Sequence, residues 1–272
     1  MTIAVCPLQH AFHASARFVK PALWIPLTDR GGGPLPVHGQ PAYMRAMKVR
    51  AVCFDYGGTL DGPGSHWLPR FHRLYHDAGL ALSFDRFRAA FDHATRCGYA
   101  EARVSTMNLR ALIEFHVARQ LDHLDVRNAE LAARVVDTFV TDARTALAES
   151  RDVLDRLRHR VQLGVISNFY GNVGRILDEA GIGRWLTVVV DSNRVGVSKP
   201  DPAIFALAIR GLGCAPDETL YVGDSFEKDV VAARAAGLRS AWLVGSVEQP
   251  CHAPELVDVR LHRLAEVEAV IE

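Results

Sequence analysis

The sequence predicts an α/β protein in which a doubly wound parallel sheet carries an inserted, all-helical domain. Two observations support this fold class. Short apolar runs of strand length recur along the chain, and most of them alternate with segments of helical spacing. Between the first two runs there is instead a block of about eighty residues with the pattern of amphipathic helices alone. The alternation of strands with helices in the rest of the chain is typical of a Rossmann-like sheet.

The chain divides into three predicted parts. Residues 1–47 show mixed polarity, no regular period and a Gly-Gly-Gly-Pro run, and we interpret them as a mostly disordered extension. Two methionines stand just before the first strand, so translation that starts there would omit the extension. Residues 48–61 and 150–272 form the predicted α/β core, and residues 62–149 form the predicted helical cap.

The first predicted strand, Val49–Phe54, is a short apolar run that suits burial on both faces of a parallel sheet. Four similar runs follow: Val161–Ser167, Leu186–Asp191, Thr219–Asp224 and Ser240–Gly245. The carboxyl ends of parallel strands meet at one edge of a doubly wound sheet. Catalytic groups are therefore expected at that edge.

The inserted block contains four amphipathic stretches, and we interpret it as a lid over the site. Ser83 is a good N-cap for the second of them. The predicted helices are Trp67–Ala78, Phe84–Arg96, Ser105–Leu121 and Ala129–Leu147.

Composition restricts the classes of partner. The chain has 272 residues, 49% of them hydrophobic, and a formal net charge of zero, so it can bury a full core and has no global field that attracts nucleic acid or anionic membrane. No apolar run approaches the roughly 18 residues that span a bilayer. Five scattered cysteines without a CxxC pair fit a reducing, cytoplasmic setting. We expect a small-molecule substrate, with neither nucleic acid nor membrane as partner, and a monomer or a homodimer.

Polar residues follow the predicted strands at four places. An aspartate after an apolar strand is more often a turn residue than a nucleophile, but four such features in order at one sheet edge are hard to explain by coincidence. They are Asp55 and Thr59 in FDYGGTLD, Ser167 and Asn168 in VISNF, Lys199 in VSKPDP, and Asp224 and Asp229 in YVGDSFEKD.

These motifs resemble those of the haloacid dehalogenase (HAD) superfamily. The segments VGVSKPDPAIF and YVGDSFEKDVVAARAAGL are similar to the third and fourth motifs of its branch with a helical cap between the first and second motifs. The resemblance covers about residues 49–272 and implies a Mg²⁺-assisted phosphatase acting on a small phosphorylated metabolite.

The resemblance also implies roles for individual residues. Asp55 would attack phosphorus and form an aspartyl-phosphate, and Lys199 would neutralise the charge that gathers there. The implied Mg²⁺ ligands are Asp55, the carbonyl of Gly57, Asp224 and Asp229. The implied hydrogen-bond donors to the phosphoryl oxygens are Gly58, Thr59, Ser167 and Asn168.

Position 57 departs from the family pattern. HAD phosphatases usually carry a second aspartate there, as general acid and then base, and this chain has Gly57. Positioned acid–base catalysis is typically worth about 10²- to 10⁴-fold in rate, so phosphoryl capture is expected and turnover is open. Either the leaving group of the substrate needs little protonation, or Asp61, Tyr56 or a cap histidine such as His66 supplies the missing acid.

Three other hypotheses account for Gly57. A HAD-like domain that has lost turnover would bind a phosphorylated ligand or act in regulation. A 2-haloacid dehalogenase also lacks the second aspartate, but a paired-carboxylate metal site would serve no purpose in it. Phosphonate-cleaving members need a cap lysine, and residues 62–149 contain none.

Overall fold

The computed structural model describes residues 48–246 and 250–271. The predicted extension over residues 1–47 lies outside them and stays a prediction. Among the described residues, no helix is long and apolar enough to cross a membrane. The six strands are β1 (Ala51–Phe54), β2 (Gln162–Ser167), β3 (Leu186–Asp191), β4 (Thr219–Gly223), β5 (Arg239–Leu243) and β6 (Val259–Leu261).

All neighbouring strands are parallel, in the order β3-β2-β1-β4-β5-β6. The chain runs outward from β1 through β2 to β3 and then returns to β4 on the other side of β1. This reversal leaves a crevice beyond the carboxyl ends of β1 and β4, the usual ligand position in open α/β sheets. The predicted doubly wound fold is confirmed, and β6 is a strand that the sequence pattern did not reveal.

The helices agree with most of the predicted segments. The third cap helix begins later than predicted, because Asn108 caps it by accepting from the amide of Ala111 at 2.9 Å. The predicted Ser83 cap is present, with Oγ accepting from the amide of Arg86 at 3.4 Å. The helices are α1 (Trp67–Asp77), α2 (Phe84–Ala100), α3 (Leu109–Leu124), α4 (Ala129–Leu157), α5 (Val173–Glu179), α6 (Ser192–Val195), α7 (Pro202–Leu212) and α8 (Ala232–Ala235).

Alternate residues of β1 face two separate apolar cores. Val52 and Phe54 join a core that continues into the cap and includes Phe71 and Phe139. Cys53, on the opposite face, packs in the core that includes α7. Because the first core crosses from sheet to cap, the cap is fixed over the carboxyl edge of β1.

The longest helix, α4, belongs to both parts of the protein. It continues past residue 149, where the sequence placed the end of the cap, and ends at Leu157 against the core. At this junction the Ser150 hydroxyl donates to the carbonyl of Leu60 at 2.8 Å. The predicted domain boundary therefore falls inside a continuous helix.

Candidate active site

The nucleophile predicted from the sequence lies directly after β1. The Asp55 amide donates to the carbonyl of Val222 at 2.8 Å, which extends the pairing with β4 and brings Asp55 beside Asp224. Gly58, three residues on, has φ of +97°, and a Cβ there would lie 2.6 Å from Asp224 Oδ2. Only glycine permits both this backbone conformation and this close approach.

The Asp55 carboxylate is almost fully buried, with 6% of its surface exposed. Its Oδ1 accepts from Ser167 Oγ at 3.1 Å and from Lys199 Nζ at 2.7 Å. Ser167 ends β2 and Lys199 precedes α7, so two separate strand–helix connections converge on one oxygen atom. The structure therefore brings three of the predicted site residues into direct contact.

Lys199 links two of the carboxylates. Its Nζ also lies 2.7 Å from Asp229 Oδ1 and donates to the Tyr221 hydroxyl at 2.8 Å. Burial alone would lower the pKa of the ammonium, but the Asp229 and Asp55 carboxylates outweigh burial and hold that pKa above its usual value. Lys199 is therefore a permanent cation beside the nucleophile.

Asn168 positions Lys199 rather than facing a substrate with its side chain. Its Oδ1 accepts from the Lys199 amide at 2.8 Å, and its Nδ2 donates to the Lys199 carbonyl at 2.9 Å. This two-way contact fixes the backbone that carries the ammonium. The predicted role of Asn168 as a phosphoryl ligand stays a prediction, and its side chain already has this second function.

Three carboxylates, those of Asp55, Asp224 and Asp229, each place an oxygen within 4.8 Å of the others. Among the described residues, Lys199 is the cation that pairs with this cluster, and it contacts only Asp55 and Asp229. Burial raises the pKa of Asp224 well above its usual value, and repulsion from Asp229 and Asp55 adds to the effect. Buried oxygen ligands with uncompensated negative charge fit a hard divalent cation such as Mg²⁺.

A cleft of about 710 Å³ opens above this cluster, between the core and the cap. Its size suits a small-molecule substrate. We call its charged base the floor, formed by Asp55, Ser167, Lys199, Asp224 and Asp229. We call the opposite side the cap wall, formed by His66, Trp67, Arg88, Phe91, Thr95 and Tyr99.

A family profile described as hydrolase, haloacid dehalogenase-like hydrolase, matches residues 49–237. The chain belongs to this family. It is 30% identical to phosphoglycolate phosphatase 1 of Pseudomonas aeruginosa over 71% of this chain and 69% of that protein. It is 36% identical to the phosphoserine phosphatase of Thermus thermophilus over 42% of this chain, a match that spans only 45% of that protein.

The fold of the HAD family is also present in a solved structure with much lower sequence similarity. A crystal structure of a dehalogenase with an intermediate complex superposes with a TM-score of 0.58 at 16% identity, over 82% of this chain and 97% of that chain. At this identity the likeness concerns the fold alone.

Two residues expected from the HAD resemblance to bind the phosphoryl group lie below the cleft surface. Thr59 is 1% exposed and its hydroxyl donates to Asp224 Oδ1 at 3.4 Å. The Gly58 amide donates to Asp61 Oδ1 at 2.7 Å. Thr59 contacts the Asp224 carboxylate, Gly58 contacts Asp61 in the same loop, and neither residue lines the cleft.

Asp61 anchors this HAD loop to the cap. It is fully buried and also accepts from Trp67 Nε1 at 2.7 Å and from Arg70 Nη1 at 3.2 Å. Burial raises the pKa of Asp61, and Arg70 opposes that rise. Asp61 is one of the predicted candidate acids, but both its carboxylate oxygens accept hydrogen bonds from the protein and it does not line the cleft.

The other two candidate acids differ in position. Tyr56 is fully buried and does not line the cleft. His66 is exposed and lines the cleft. Of the three candidates, the structure therefore leaves His66 alone in reach of a bound substrate.

Proposed function

We propose that this HAD hydrolase is a Mg²⁺-dependent phosphatase that acts on a small phosphorylated metabolite through an aspartyl-phosphate at Asp55. One observation carries the proposal: Asp55 lies on the floor of the cleft, in contact with Lys199 and beside the carboxylates of Asp224 and Asp229. Two relatives, named for phosphoglycolate and phosphoserine, support phosphate esters of small acids as the first substrates to test.

The chain's own residues account for capture of phosphorus. An Asp55 oxygen attacks the phosphorus atom, the bond from phosphorus to the leaving-group oxygen breaks, and that oxygen takes the electron pair. Lys199 and the Ser167 hydroxyl offset negative charge at the nucleophile. Asp55, Asp224 and Asp229 would hold Mg²⁺, with the Gly57 carbonyl as the further predicted ligand, and the ion would stabilise negative charge on the phosphoryl oxygens.

Two competing functions follow from Gly57. A phospho-ligand-binding protein would use the same floor without turnover. A dehalogenase would release halide, which needs no acid, but its reaction gives no reason for three clustered carboxylates. The carboxylate cluster therefore favours phosphoryl transfer over dehalogenation.

The test is release of phosphate from a panel of substrates with Mg²⁺ and with EDTA. The panel contains acetyl phosphate, p-nitrophenyl phosphate, phosphoglycolate and phosphoserine, and chloride release from chloroacetate is measured in parallel. Asp55→Asn should reduce phosphate release about 10⁴- to 10⁶-fold, the range for removal of one member of a catalytic unit. Asp77→Asn, the same change at a surface carboxylate, should leave release unchanged.

Each alternative predicts a different outcome. Absence of any Asp55-dependent phosphate release, together with Mg²⁺-dependent binding of phosphate esters, would establish the binding function. Asp55-dependent chloride release that persists in EDTA would establish a dehalogenase. The predicted cytoplasmic location, which the free thiols of the described cysteines fit, and the choice between monomer and homodimer stay predictions.

A further inference from the structure

In the loop after β1, Gly57 stands where HAD phosphatases usually carry the general acid. A Cβ built on Gly57 would have only the Trp67 indole near it, with Nε1 at 3.7 Å and Cδ1 at 3.9 Å. A Cβ at position 57 would therefore lie in ordinary van der Waals contact with Trp67 and would clash with nothing. The indole N–H of Trp67 is already donated to Asp61, so it is not available to a substrate.

His66, the neighbour of Trp67 in sequence, has a free donor. Its ring caps α1: Nδ1 accepts from the Leu68 amide at 3.2 Å. An accepting Nδ1 carries no proton, so in the neutral ring the proton is on Nε2. No other described residue forms a hydrogen bond with this ring, which leaves Nε2–H for a ligand in the cleft.

The ring is also held in its neutral form. Desolvation lowers the pKa of His66 to about 4, and the cations Lys228, Lys199 and Arg70 act in the same direction against Asp229. Protonation of Nδ1 would also break the cap on α1, because two N–H groups would then face each other. His66 at neutral pH is therefore a hydrogen-bond donor that keeps its proton.

In-line attack decides where the leaving group goes. Asp55 attacks from the floor, so the leaving-group oxygen lies on the opposite side of phosphorus, toward the cap wall. His66 begins the first cap helix on that wall. Its place on the cleft, which Gly57 also lines, and its free N–H therefore put a hydrogen-bond donor on the side toward which the leaving group departs.

We propose that the Nε2–H of His66 donates a hydrogen bond to the leaving-group oxygen, and that the substrates are phosphates whose leaving group departs as a stable anion, acyl phosphates above all. This inference rests on the proposed phosphatase function. The phosphorus–oxygen bond breaks, the leaving group departs with the electron pair and without a proton, and Asp55 holds the phosphoryl group. The oxygen of water then attacks phosphorus, the bond from phosphorus to the Asp55 oxygen breaks and returns its electron pair to the carboxylate, and both protons of water leave on the phosphate product as H₂PO₄⁻.

The contribution of the His66 donor should depend on the acidity of the leaving group. A carboxylic acid ionises near pH 4 and a phenol near pH 10, so an acyl phosphate needs little help and a phenyl ester needs much. Loss of the His66 donor should therefore slow phenyl phosphate far more than acetyl phosphate. The ratio of the two rates, measured on one protein preparation, does not depend on the fraction of protein that is folded.

Two substitutions test the roles of the two ring nitrogens of His66 separately. His66→Asn keeps an oxygen that can cap α1 and removes the distal donor, whereas His66→Gln keeps a distal N–H. We expect His66→Asn to lower kcat/KM for phenyl phosphate about 10²-fold, the lower end for loss of one preorganised donor, with only a slight change for acetyl phosphate. His66→Gln should retain most of the phenyl phosphate activity.

The possible results distinguish this inference from the proposed function. If His66→Asn leaves the phenyl-to-acetyl ratio unchanged while Asp55-dependent release persists, His66 is only a helix cap and the inference is wrong. If acetyl phosphate is not the better wild-type substrate, the assignment of substrate class is wrong. If neither substrate gives Asp55-dependent release, the proposed function and this inference both fail.

Discussion

The floor and the cap wall of the cleft are built in different ways. The floor is a buried network of charge, in which Lys199 contacts two of three carboxylates. The cap wall is mostly aromatic, and Trp67 makes edge-to-face contacts with Phe71, Phe139 and Phe169 at centroid distances of 5.2–6.1 Å. In the proposed reaction, capture of phosphorus would therefore depend on charge in the core, and departure of the leaving group on a mostly aromatic wall.

The largest expected effect comes from placing an acid at position 57, which faces Trp67 of the cap wall. Gly57 has an ordinary φ of −76°, and a Cβ there meets nothing closer than 3.7 Å, so Gly57→Asp fits without strain. We expect turnover of phenyl phosphate to rise about 10²- to 10⁴-fold, with a much smaller rise for acetyl phosphate. Steady-state kinetics on both substrates checks this. An equal rise for both would mean that leaving-group protonation is not the limiting defect.

The floor is tested by removing its cation. Lys199→Met would leave two buried carboxylates without their partner, and we expect the free energy of unfolding to fall by about 3–5 kcal/mol. Urea unfolding in EDTA measures the loss. Lys228→Met is the matched control, because Lys228 is exposed and pairs with no carboxylate among the described residues. Its free energy of unfolding should stay within about 0.5 kcal/mol of the wild-type value. Equal losses in the two variants would show that the ion pairs do not stabilise the floor.

The cap interior predicts a dependence of stability on pH. His116 is fully buried, and desolvation lowers its pKa from 6.5 to about 3. Because the unfolded chain binds this proton more tightly, stability is complete above pH 6.5 and falls as pH drops toward 3. Between pH 6.5 and 5 the loss from this group should be about 2 kcal/mol, at 1.36 kcal/mol for each unit. Unfolding curves at several pH values give the slope of the free energy of unfolding against pH for wild type and for His116→Leu. Equal slopes in the two proteins would contradict the lowered pKa of His116.

The smallest expected effect is the change in the free energy of unfolding when His116 is replaced at neutral pH. Neither ring nitrogen of His116 has a hydrogen-bond partner among the described residues. His116→Leu removes these unsatisfied atoms at similar volume, and we expect the free energy of unfolding to rise by about 1 kcal/mol at pH 7. His76→Leu, on the exposed end of α1, controls for the change of residue type. A destabilised His116→Leu protein would mean that the ring makes a favourable contact with another group.

Much of the core followed from local patterns. Apolar runs identified five of the six strands, and β6 was missed because three residues are too few to show a period. The end of α4 was also missed, since its apolar pattern passes from cap to core without a stop signal. The network of Asp61, Trp67 and Arg70 gave no signal, because these side chains meet only when the first cap helix folds back on the loop after β1.

The sequence by itself determined the fold, the motif order and the identity of the floor residues, because strand period and strand ends are local properties of the chain. Tertiary structure decided which partners the other predicted site residues have. It directed Asn168 to Lys199 and Gly58 to Asp61, and it left His66 on the cleft. The physical reason is that a buried polar group must find a partner, and the choice among partners depends on which segments the packed core brings together.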